Sequence, residues 1–566
     1  MVVVLFTCLK AVMLMAPPLI FKEIFDRVLM GHEQSLLFVF GSLLIILPLG
    51  IAITTFMQVL LMAMLGQRLI FDVRNDLFKH LESMSLRFYN KFGSGMLTNR
   101  LMGDTTKIQT VMSNTLIVVI SDAVICVVAI IGALLLNWRL GCMLLLIVSF
   151  FVLNYRYLRK KLIDSKRKTL QAMDRMSAGV QERLSLNLTV RSYGKEDDEH
   201  DEFMEHTNDS VEYGNIAAAS TVDFASNTEL LTFIGWGAVY FGGCAMYLNN
   251  PLEMSYGSVI AFTTYSMLVF QPAVRFSNVA RQVQDVTLAL DRIFELKNEE
   301  PEVTEVEDPH VPETLRGTVE FNHVYFQYEK GIPVLRDFHL QVKEGETIAL
   351  VGKTGCGKST VLNLIFRFYD IAGGELKIDG VHIRDYSLRG LRKHFGIVLQ
   401  EPMLFNASVY DNIAYANSHL PKEKIVEAAE MAEIHGFIEM LPDGYDTIIS
   451  GEKGVSLSAG QQQQITIARA IASDPKILVM DEATSNLDSE SEAKIQKALE
   501  RILKGRTSFV IAHRLSTIRN ATRIAFMDEG HILELGSHDE LVQIEGGLYR
   551  ELYEKHHESG VLDEGE

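Results

Sequence analysis

The first half of the chain consists of long apolar runs, whereas the second half alternates short apolar segments with polar turns. Six of the runs are candidate membrane helices, because a bilayer core of about 30 Å requires about 20 mostly apolar residues per helix. A three-residue turn, Asn137-Trp138-Arg139, separates two of them. The pattern predicts an α-helical membrane domain over residues 1–290. The six runs cover residues 2–21, 36–65, 116–136, 140–153, 230–248 and 256–274.

The distribution of lysine and arginine predicts the orientation of these helices. Residues 66–113 contain seven Lys or Arg and residues 156–219 contain eleven, whereas the three alternate connections contain only Arg27 and Arg139. The positive-inside rule therefore places the two basic segments and the second half of the chain in the cytoplasm. We expect an integral protein of the bacterial inner (plasma) membrane.

The two basic segments, 66–113 and 156–219, are too long and too helical in pattern to be simple loops. Their periodicity predicts membrane helices that extend well beyond the bilayer as two cytoplasmic hairpins. Turn-like breaks at 88–95 and 191–196 combine an aromatic residue with glycine, as expected at a hairpin tip. Docking into another domain and a plain solvated turn explain such a tip equally well.

Charged side chains are costly inside a membrane, so each one in or beside an apolar run is a candidate functional residue. Lys10 has apolar neighbours on both sides and is the best candidate for the wall of a polar cavity. Snorkelling to the interface explains the side chains near the helix ends. The charged residues are Lys10, Asp122, Glu229 and Arg275, with Arg68 and Arg156 at the predicted cytoplasmic ends.

Composition narrows the classes of function further. The net charge of −18 argues against a nucleic-acid partner, which requires a basic surface. The five cysteines have no paired spacing, so neither a disulfide framework nor a zinc site is predicted. Acidic residues concentrate in a linker, 291–316, and in a C-terminal tail, 554–566, which leaves 317–553 as a second domain.

A glycine-rich loop dominates this second domain. It follows an apolar strand, 347–351, and leads into a helical stretch, 361–365. Glycines let backbone N–H groups surround a phosphate, and the helix N-terminus adds positive potential. Lys358 is expected to reach the β- and γ-phosphates of ATP, and the Ser359 hydroxyl is expected to ligate Mg²⁺. The loop consists of Gly352, Lys353, Thr354, Gly355, Cys356, Gly357, Lys358, Ser359 and Thr360, and a thiol at a helix start, as in Cys356, can have a lowered pKa.

Polar side chains at the ends of other predicted strands complete a candidate catalytic site. Asp481 and Glu482 end the buried strand 476–482, where Asp481 would hold Mg²⁺ through water and Glu482 would orient or deprotonate the attacking water. Gln400 follows strand 396–399 and could contact both the metal and that water. His513 follows strand 507–512 and could hold the γ-phosphate. Without the glycine loop, a helix cap and a structural histidine would explain these residues.

Two further features complete the nucleotide site. Tyr328, at a strand end, could stack on adenine, although a strand tyrosine is more often part of a core. The motif Leu457-Ser458-Ala459-Gly460-Gln461 precedes a helix, 462–472, where Ser458 and Gly460 make a second anion site. An ordinary N-cap serine is the alternative. One phosphate does not need two such sites, so we expect the second to cover ATP held by another copy of the chain.

The full ordered set resembles the ABC exporter half-transporters of type IV, the multidrug and lipid-A flippase-like group. The resemblance implies six membrane helices of the type IV fold followed by an α/β P-loop ABC ATPase domain. In its terms Tyr328 lies in the A-loop, Gln400 in the Q-loop and His513 at the switch position. Residues 457–461, including Gln461, match the signature, 477–482 match Walker B, 485–488 match the D-loop and 450–454 resemble the X-loop.

The chain departs from the family pattern at three places. Ala459 replaces the commonest glycine of the signature, and Gln462-Gln463-Gln464 follow where the family often has basic residues. The second departure is expected to weaken local contacts. The family's elbow helix before the first span is missing, so we expect that the N-terminus is incomplete.

The resemblance implies a homodimeric exporter that moves a lipid or a hydrophobic compound by alternating access, with ATP and Mg²⁺ at the dimer interface. Two alternatives stay open: the active half of a heterodimeric multidrug exporter, and an ATP-gated channel or sensor. The substrate stays open as well. Lys10, Arg68 and Arg156 suit an anionic amphiphile such as a phospholipid, whereas the many Phe and Met residues suit a broad drug pocket.

Overall fold

The structure, a computed structural model, describes residues 2–449, 454–481, 489–511 and 518–558. By its internal contacts the chain forms two compact units. The helical unit comprises Met1–Ser83 and Lys91–Glu300, and the sheet unit comprises Met84–Asn90 and Pro301–Glu566. Residues 88–90 of the first predicted hairpin tip thus belong to the sheet unit. The domain boundaries that we predict at 290 and 317 remain predictions.

Ten α-helices, linked in places by short π-helical segments, precede residue 300 in the described part of the chain. They are α1 (Val2–Glu23, continued as a π-helix to Leu29), α2 (Ser35–Glu82), α3 (Leu86–Phe92), α4 (Ser94–Asn99), α5 (Thr105–Thr110), α6 (Leu116–Leu136), α7 (Trp138–Ser185), α8 (Asn187–Ser192), α9 (Glu196–Asn249) and α10 (Tyr256–Lys297).

Five continuous helical segments among the described residues are long and apolar enough to cross a membrane. The sixth predicted run lies in α10, which packs inside the unit against α1, α6 and α9. Phe262, Tyr265 and Phe270 of this helix are fully buried, and so is the polar Ser266. A helix surrounded by protein does not have to be apolar on all sides, since its hydroxyls find partners within the bundle.

The structure corrects two local predictions. Only Asn137 separates α6 from α7, because its side chain accepts hydrogen bonds from the backbone N–H groups of Arg139 and Leu140 and so caps a helix that already begins at Trp138. The breaks at the hairpin tips are also shorter than predicted. Residues 88–92 are helical, and the chain breaks at Gly93, where φ is +69°, and at Gly194, where φ is +59°.

The sheet unit is built on a six-stranded sheet with the order β12-β11-β3-β10-β9-β6, in which β12 alone is antiparallel to its neighbour. A four-stranded antiparallel sheet has the order β2-β1-β4-β5. The strands are β1 (Val319–Glu329), β2 (Ile332–Val342), β3 (Thr347–Gly352), β4 (Gly373–Ile378), β5 (Val381–His382), β6 (Phe395–Val398), β7 (Ala407–Ser408), β8 (Ile448–Ile449), β9 (Ile477–Asp481), β10 (Thr507–Ile511), β11 (Arg523–Asp528) and β12 (His531–Gly536).

Helices cover the six-stranded sheet, and its central strands are therefore buried on both faces. Every residue of β10 and all but the last of β9 are buried, as expected for parallel strands that read as continuous apolar runs. The helices are α11 (Lys358–Ile365), α12 (Leu388–Arg392), α13 (Val409–Ile413), α14 (Lys422–Met431), α15 (His435–Glu439), α16 (Ala459–Ala472) and α17 (Ser489–Leu503), followed by His538–Val542 and Leu548–Glu558.

Candidate functional site

The glycine-rich loop joins the end of β3 at Gly352 to the start of α11 at Lys358, as the sequence predicts. Gly352, Gly355 and Gly357 have φ values of +148°, +86° and +107°, a region that L side chains rarely adopt. At Gly352 a Cβ atom would also lie 2.1 Å from the carbonyl oxygen of Met527. The glycines are therefore required for the backbone path of the loop.

The Lys358 side chain folds back into the loop. Its Nζ donates to the carbonyl oxygens of Gly352 and Lys353 at 2.7 and 3.0 Å, and the residue is only 7% exposed. These partners are neutral, and no carboxylate lies within ion-pair distance of this ammonium among the described residues. A buried cation without a counter-charge favours the arrival of an anion.

Cys356 contradicts the expectation of a reactive thiol at the helix start. Its side chain is buried, and burial raises the pKa of the thiol more than the neighbouring Lys358 ammonium lowers it. At neutral pH the side chain is therefore a protonated, small hydrophobic group packed in the core of the unit.

The start of α11 places the Ser359 hydroxyl at the surface and the Thr360 hydroxyl inside. Ser359 is exposed at the start of α11, so its hydroxyl is available to a metal ion. Thr360 is buried and its Oγ1 lies 3.2 Å from the hydroxyl of Tyr328. Asn363 donates to the same hydroxyl at 3.1 Å. Tyr328 is thus tied to α11 by its hydroxyl.

The Tyr328 ring is partly buried and lines a cavity of about 440 Å³, with Asn363 and Tyr369 among the other lining residues. It packs edge-on against Phe326 at 4.8 Å and Tyr369 at 5.1 Å between ring centroids. Tyr328 is the residue before the last of β1, as the predicted strand end requires. Adenine stacking on this ring remains a prediction, since the ring also contributes to the core.

The strand-end residues converge because four strands are parallel neighbours. β3, β10, β9 and β6 lie side by side in that order, so the glycine loop, the end of β9 and the end of β6 share one edge of the sheet. Asp481 is the last residue of β9, and Gln400 is exposed two residues after β6. Glu482 and His513 lie outside the described residues, as do 485–488 and 450–453.

The signature motif forms a complete helix cap. The Ser458 Oγ accepts from the backbone N–H of Gln461 at 3.3 Å, and the Gln461 Oε1 accepts from the backbone N–H of Ser458 at 2.9 Å. This reciprocal pair is a capping box at the start of α16, and Gly460 is buried beside it. Within one chain the motif is therefore satisfied structurally, and its role toward a nucleotide remains a prediction.

The sequence did not reveal a set of side chains from α16 that positions the segment after β6. The Gln463 Nε2 donates to the carbonyl of Leu399 at 3.1 Å, immediately before Gln400. The Arg469 guanidinium donates to the carbonyls of Asn412 and Met403 and to the Asn412 Oδ1, at 2.8–2.9 Å. The glutamines that we expected to weaken local contacts instead make them. No sequence pattern signals these contacts, because Leu399, Met403 and Asn412 are 57–66 residues away from their partners in α16.

We expect Arg469→Met to destabilise the sheet unit by about 2–4 kcal/mol, because it removes three charge-assisted hydrogen bonds, those to the backbone carbonyls of Asn412 and Met403 and to the fully buried Asn412 Oδ1. Burial lowers the pKa of the Arg469 guanidinium, yet a guanidinium stays charged at neutral pH. Urea unfolding of the full chain in detergent measures the change. Arg550→Met, which removes an exposed pair with Glu554, is the matched control and should cost less than about 1 kcal/mol. Equal losses in the two variants would contradict this assignment.

Comparison with known proteins agrees with this geometry. The family model described as the ABC transporter transmembrane region matches residues 1–273, and the model described as ABC transporter matches residues 335–485. The ATP-dependent lipid A-core flippase of Syntrophus aciditrophicus is 34% identical over 88% of this chain and 82% of its own length. A Bacillus subtilis protein provisionally named multidrug export ATP-binding/permease protein YgaD is 36% identical over 86% of this chain and 84% of its own length.

A solved structure of a bacterial Atm1-family ABC exporter with ATP bound has a TM-score of 0.86 and 26% identity, and the match covers 100% of this chain and 98% of that one. The predicted type IV exporter fold and the predicted ATPase domain are thereby confirmed. The chain belongs to the ABC transporter family, as an integral-membrane half-transporter in which one membrane domain is fused to one ATP-binding domain that couples ATP hydrolysis to transport.

Proposed function

We propose that this chain exports a lipid or another amphiphilic compound from the cytoplasmic side of a bacterial inner membrane, driven by hydrolysis of MgATP between two ATPase domains. One observation carries the proposal: the glycine loop holds a buried lysine that has no counter-charge among the described residues, at the edge of a sheet where two more candidate residues meet. The basic segments 66–113 and 156–219 support the orientation.

Roles follow from positions at this edge. Lys358 exchanges its two carbonyl partners for the β- and γ-phosphates, and the backbone of residues 352–357 surrounds them. Ser359, Asp481 and Gln400 would hold Mg²⁺, which supplies charge neutralisation of the phosphates when bound. The oxygen donors that these three side chains offer are the ligands that Mg²⁺ prefers.

The remaining roles concern ATP hydrolysis and the binding of the adenine base. Glu482, directly after Asp481, orients or deprotonates the attacking water, and His513 holds the γ-phosphate. Tyr328 contacts adenine from the cavity beside α11. These assignments rest on the sequence positions of Glu482 and His513 and on the described geometry of Tyr328.

The functional unit is a dimer, because half-transporters of this family generally dimerise. We propose a homodimer, in which Ser458, Gly460 and Gln461 of one copy cover the ATP held by the glycine loop of the other. The presence of both a complete glycine loop and a complete signature cap in one chain supports self-pairing. A heterodimer with a different half-transporter is the second candidate.

Mixing two inactive variants tests the shared site. Lys358→Ala disables the loop, and Ser458→Arg fills the space beside the signature, so dimers of either variant alone should hydrolyse no ATP. A mixed dimer keeps one intact site, made of the wild-type loop of one copy and the wild-type signature of the other. Restored ATPase activity on mixing in lipid nanodiscs is the expected result.

Two outcomes would contradict the proposal, and measuring whether the purified particles are dimers or monomers distinguishes them. If mixed dimers form but stay inactive, the two motifs do not act across the interface. If purified wild-type chains remain monomeric and inactive, self-pairing is wrong and a partner chain is required. Tandem affinity purification of two differently tagged copies identifies the mixed dimer before the assay.

A further inference from the structure

A cavity of about 280 Å³ opens among four helices of the helical unit. Its walls come from α1, α2, α6 and α10, whose residues are far apart in sequence. Its lining includes apolar side chains, among them Leu14, Val59 and Val118. The same lining includes hydroxyl, amide and charged groups. A cavity lined by both kinds of group suits an amphiphile better than a purely apolar compound.

Three charged side chains line this cavity and give it a net positive charge. The Arg275 Nη2 lies 3.0 Å from the Asp122 Oδ1, so this pair joins α10 to α6. Lys10 of α1 lines the same cavity and has no ion-pair or hydrogen-bond partner among the described residues. One carboxylate therefore faces two cations.

Polar groups fix the wall on the side of α2. Gln58 is 2% exposed, and its Nε2 donates to the Thr7 Oγ1 at 2.8 Å and to the Ser121 Oγ at 2.7 Å. These bonds tie α1, α2 and α6 together directly beside Lys10 and Asp122. Gln58, Thr7 and Ser121 thus have hydrogen-bond partners among one another. The Lys10 ammonium is therefore available to a ligand.

Asp122 and Gln58 lie on helices that run in opposite directions, and both positions indicate the same depth in the membrane. Asp122 follows the start of α6 at Leu116, and Gln58 precedes the end of its apolar run at residue 65, which continues into segment 66–113. Both positions lie toward the predicted cytoplasmic end of the bundle. A head group entering from the inner leaflet meets this depth first.

We propose that this cavity is the binding site for the anionic head group, a phosphate or carboxylate, of an amphiphilic substrate. The tail of this substrate contacts the apolar lining residues, such as Leu14, Val59 and Val118. The inference rests on the proposed function and adds the charge of the substrate. Lys10 supplies the uncompensated cation, and Arg275 turns from Asp122 to share the head group. Arg68 and Arg156, which the sequence grouped with Lys10, are exposed and do not line the cavity.

Equilibrium binding in phosphatidylcholine nanodiscs, without ATP, tests this site. The probes are dodecyl phosphate, dodecyltrimethylammonium and inorganic phosphate, and calorimetry gives the affinities. We expect dodecyl phosphate to bind the wild-type chain and to lose roughly tenfold or more in affinity in Lys10→Gln and in Arg275→Gln, since each removes a charge-assisted contact. Asp122→Asn should tighten binding, because it removes the competing carboxylate.

Arg68→Gln and Arg156→Gln are the matched controls and should leave the affinity unchanged. Equal losses in controls and cavity variants would overturn the proposal, and so would preferred binding of dodecyltrimethylammonium that disappears in Asp122→Asn. Competition by inorganic phosphate at the same concentration would assign the site to a free anion instead of an amphiphile. Because binding is measured without ATP, an inactive ATPase would refute the proposed function and leave this result standing.

Discussion

Replacement of Lys358 by alanine abolishes ATP hydrolysis, with an expected loss of at least about 10²-fold, because it removes the principal cation from the phosphate loop. The structure gives the physical reason. The Nζ is buried, and among the described residues its partners are two loop carbonyls and the neutral Cys356 sulfur, so its charge is available to phosphate oxygens without first breaking an ion pair with any of them. We expect ATP affinity to fall together with the rate.

ATPase rate and binding of a fluorescent ATP analogue, both measured on the full chain in nanodiscs, check this prediction. Lys504→Ala, at an exposed lysine in the turn before β10, is the matched control and should behave as wild type. Near-normal hydrolysis by Lys358→Ala would mean that the loop is not the phosphate site.

Glu482→Gln is expected to lower the hydrolysis rate by about 10²–10⁴-fold while ATP still binds, as expected for loss of a general base. Asp481 ends β9, which is separated from β3 by β10 alone, so this strand ends at the edge of the sheet that carries the glycine loop, and Glu482 follows it in the sequence. An amide in place of this carboxylate keeps its size and removes its basicity.

The same two assays distinguish this variant from Lys358→Ala. In Glu482→Gln the rate and the affinity should separate, whereas in Lys358→Ala they should fall together. Glu500→Gln, an exposed position on α17, controls for loss of a negative charge from the same unit. A parallel loss of affinity in Glu482→Gln would assign the residue to nucleotide binding instead of water activation.

Features that depend on local sequence were predicted well. β3, β9 and β10 are short apolar runs bounded by polar turns, because both faces of these strands are buried, and the glycine loop requires its glycines for backbone conformation. The N-cap of α16 was also a local signal. The hydrophobic pattern failed where a single side chain determines the end of a helix. Asn137 caps α7, which therefore begins inside the turn predicted over residues 137–139.

Features that depend on distant residues could not be predicted. The sequence identified Lys10, Asp122 and Arg275 as costly charges, but only the packing of α1, α6 and α10 shows that they share a cavity. It also grouped Lys10 with two arginines that lie elsewhere. Likewise, no pattern connects Arg469 with Asn412, because their contact arises from the tertiary packing of α16 against α13.

α10 continues without interruption from Tyr256 through Arg275 to Lys297, 42 residues or about 63 Å of helix. The cavity arginine and the last turn before the linker are therefore parts of one continuous helix. If ATP shifts the equilibrium position of this helix, it changes the affinity of the cavity for its ligand. Thermodynamic reciprocity then requires the ligand to change the affinity for ATP by the same factor. The amphiphile that fits the cavity should therefore be measurable as a shift in nucleotide binding, even before any transport is observed.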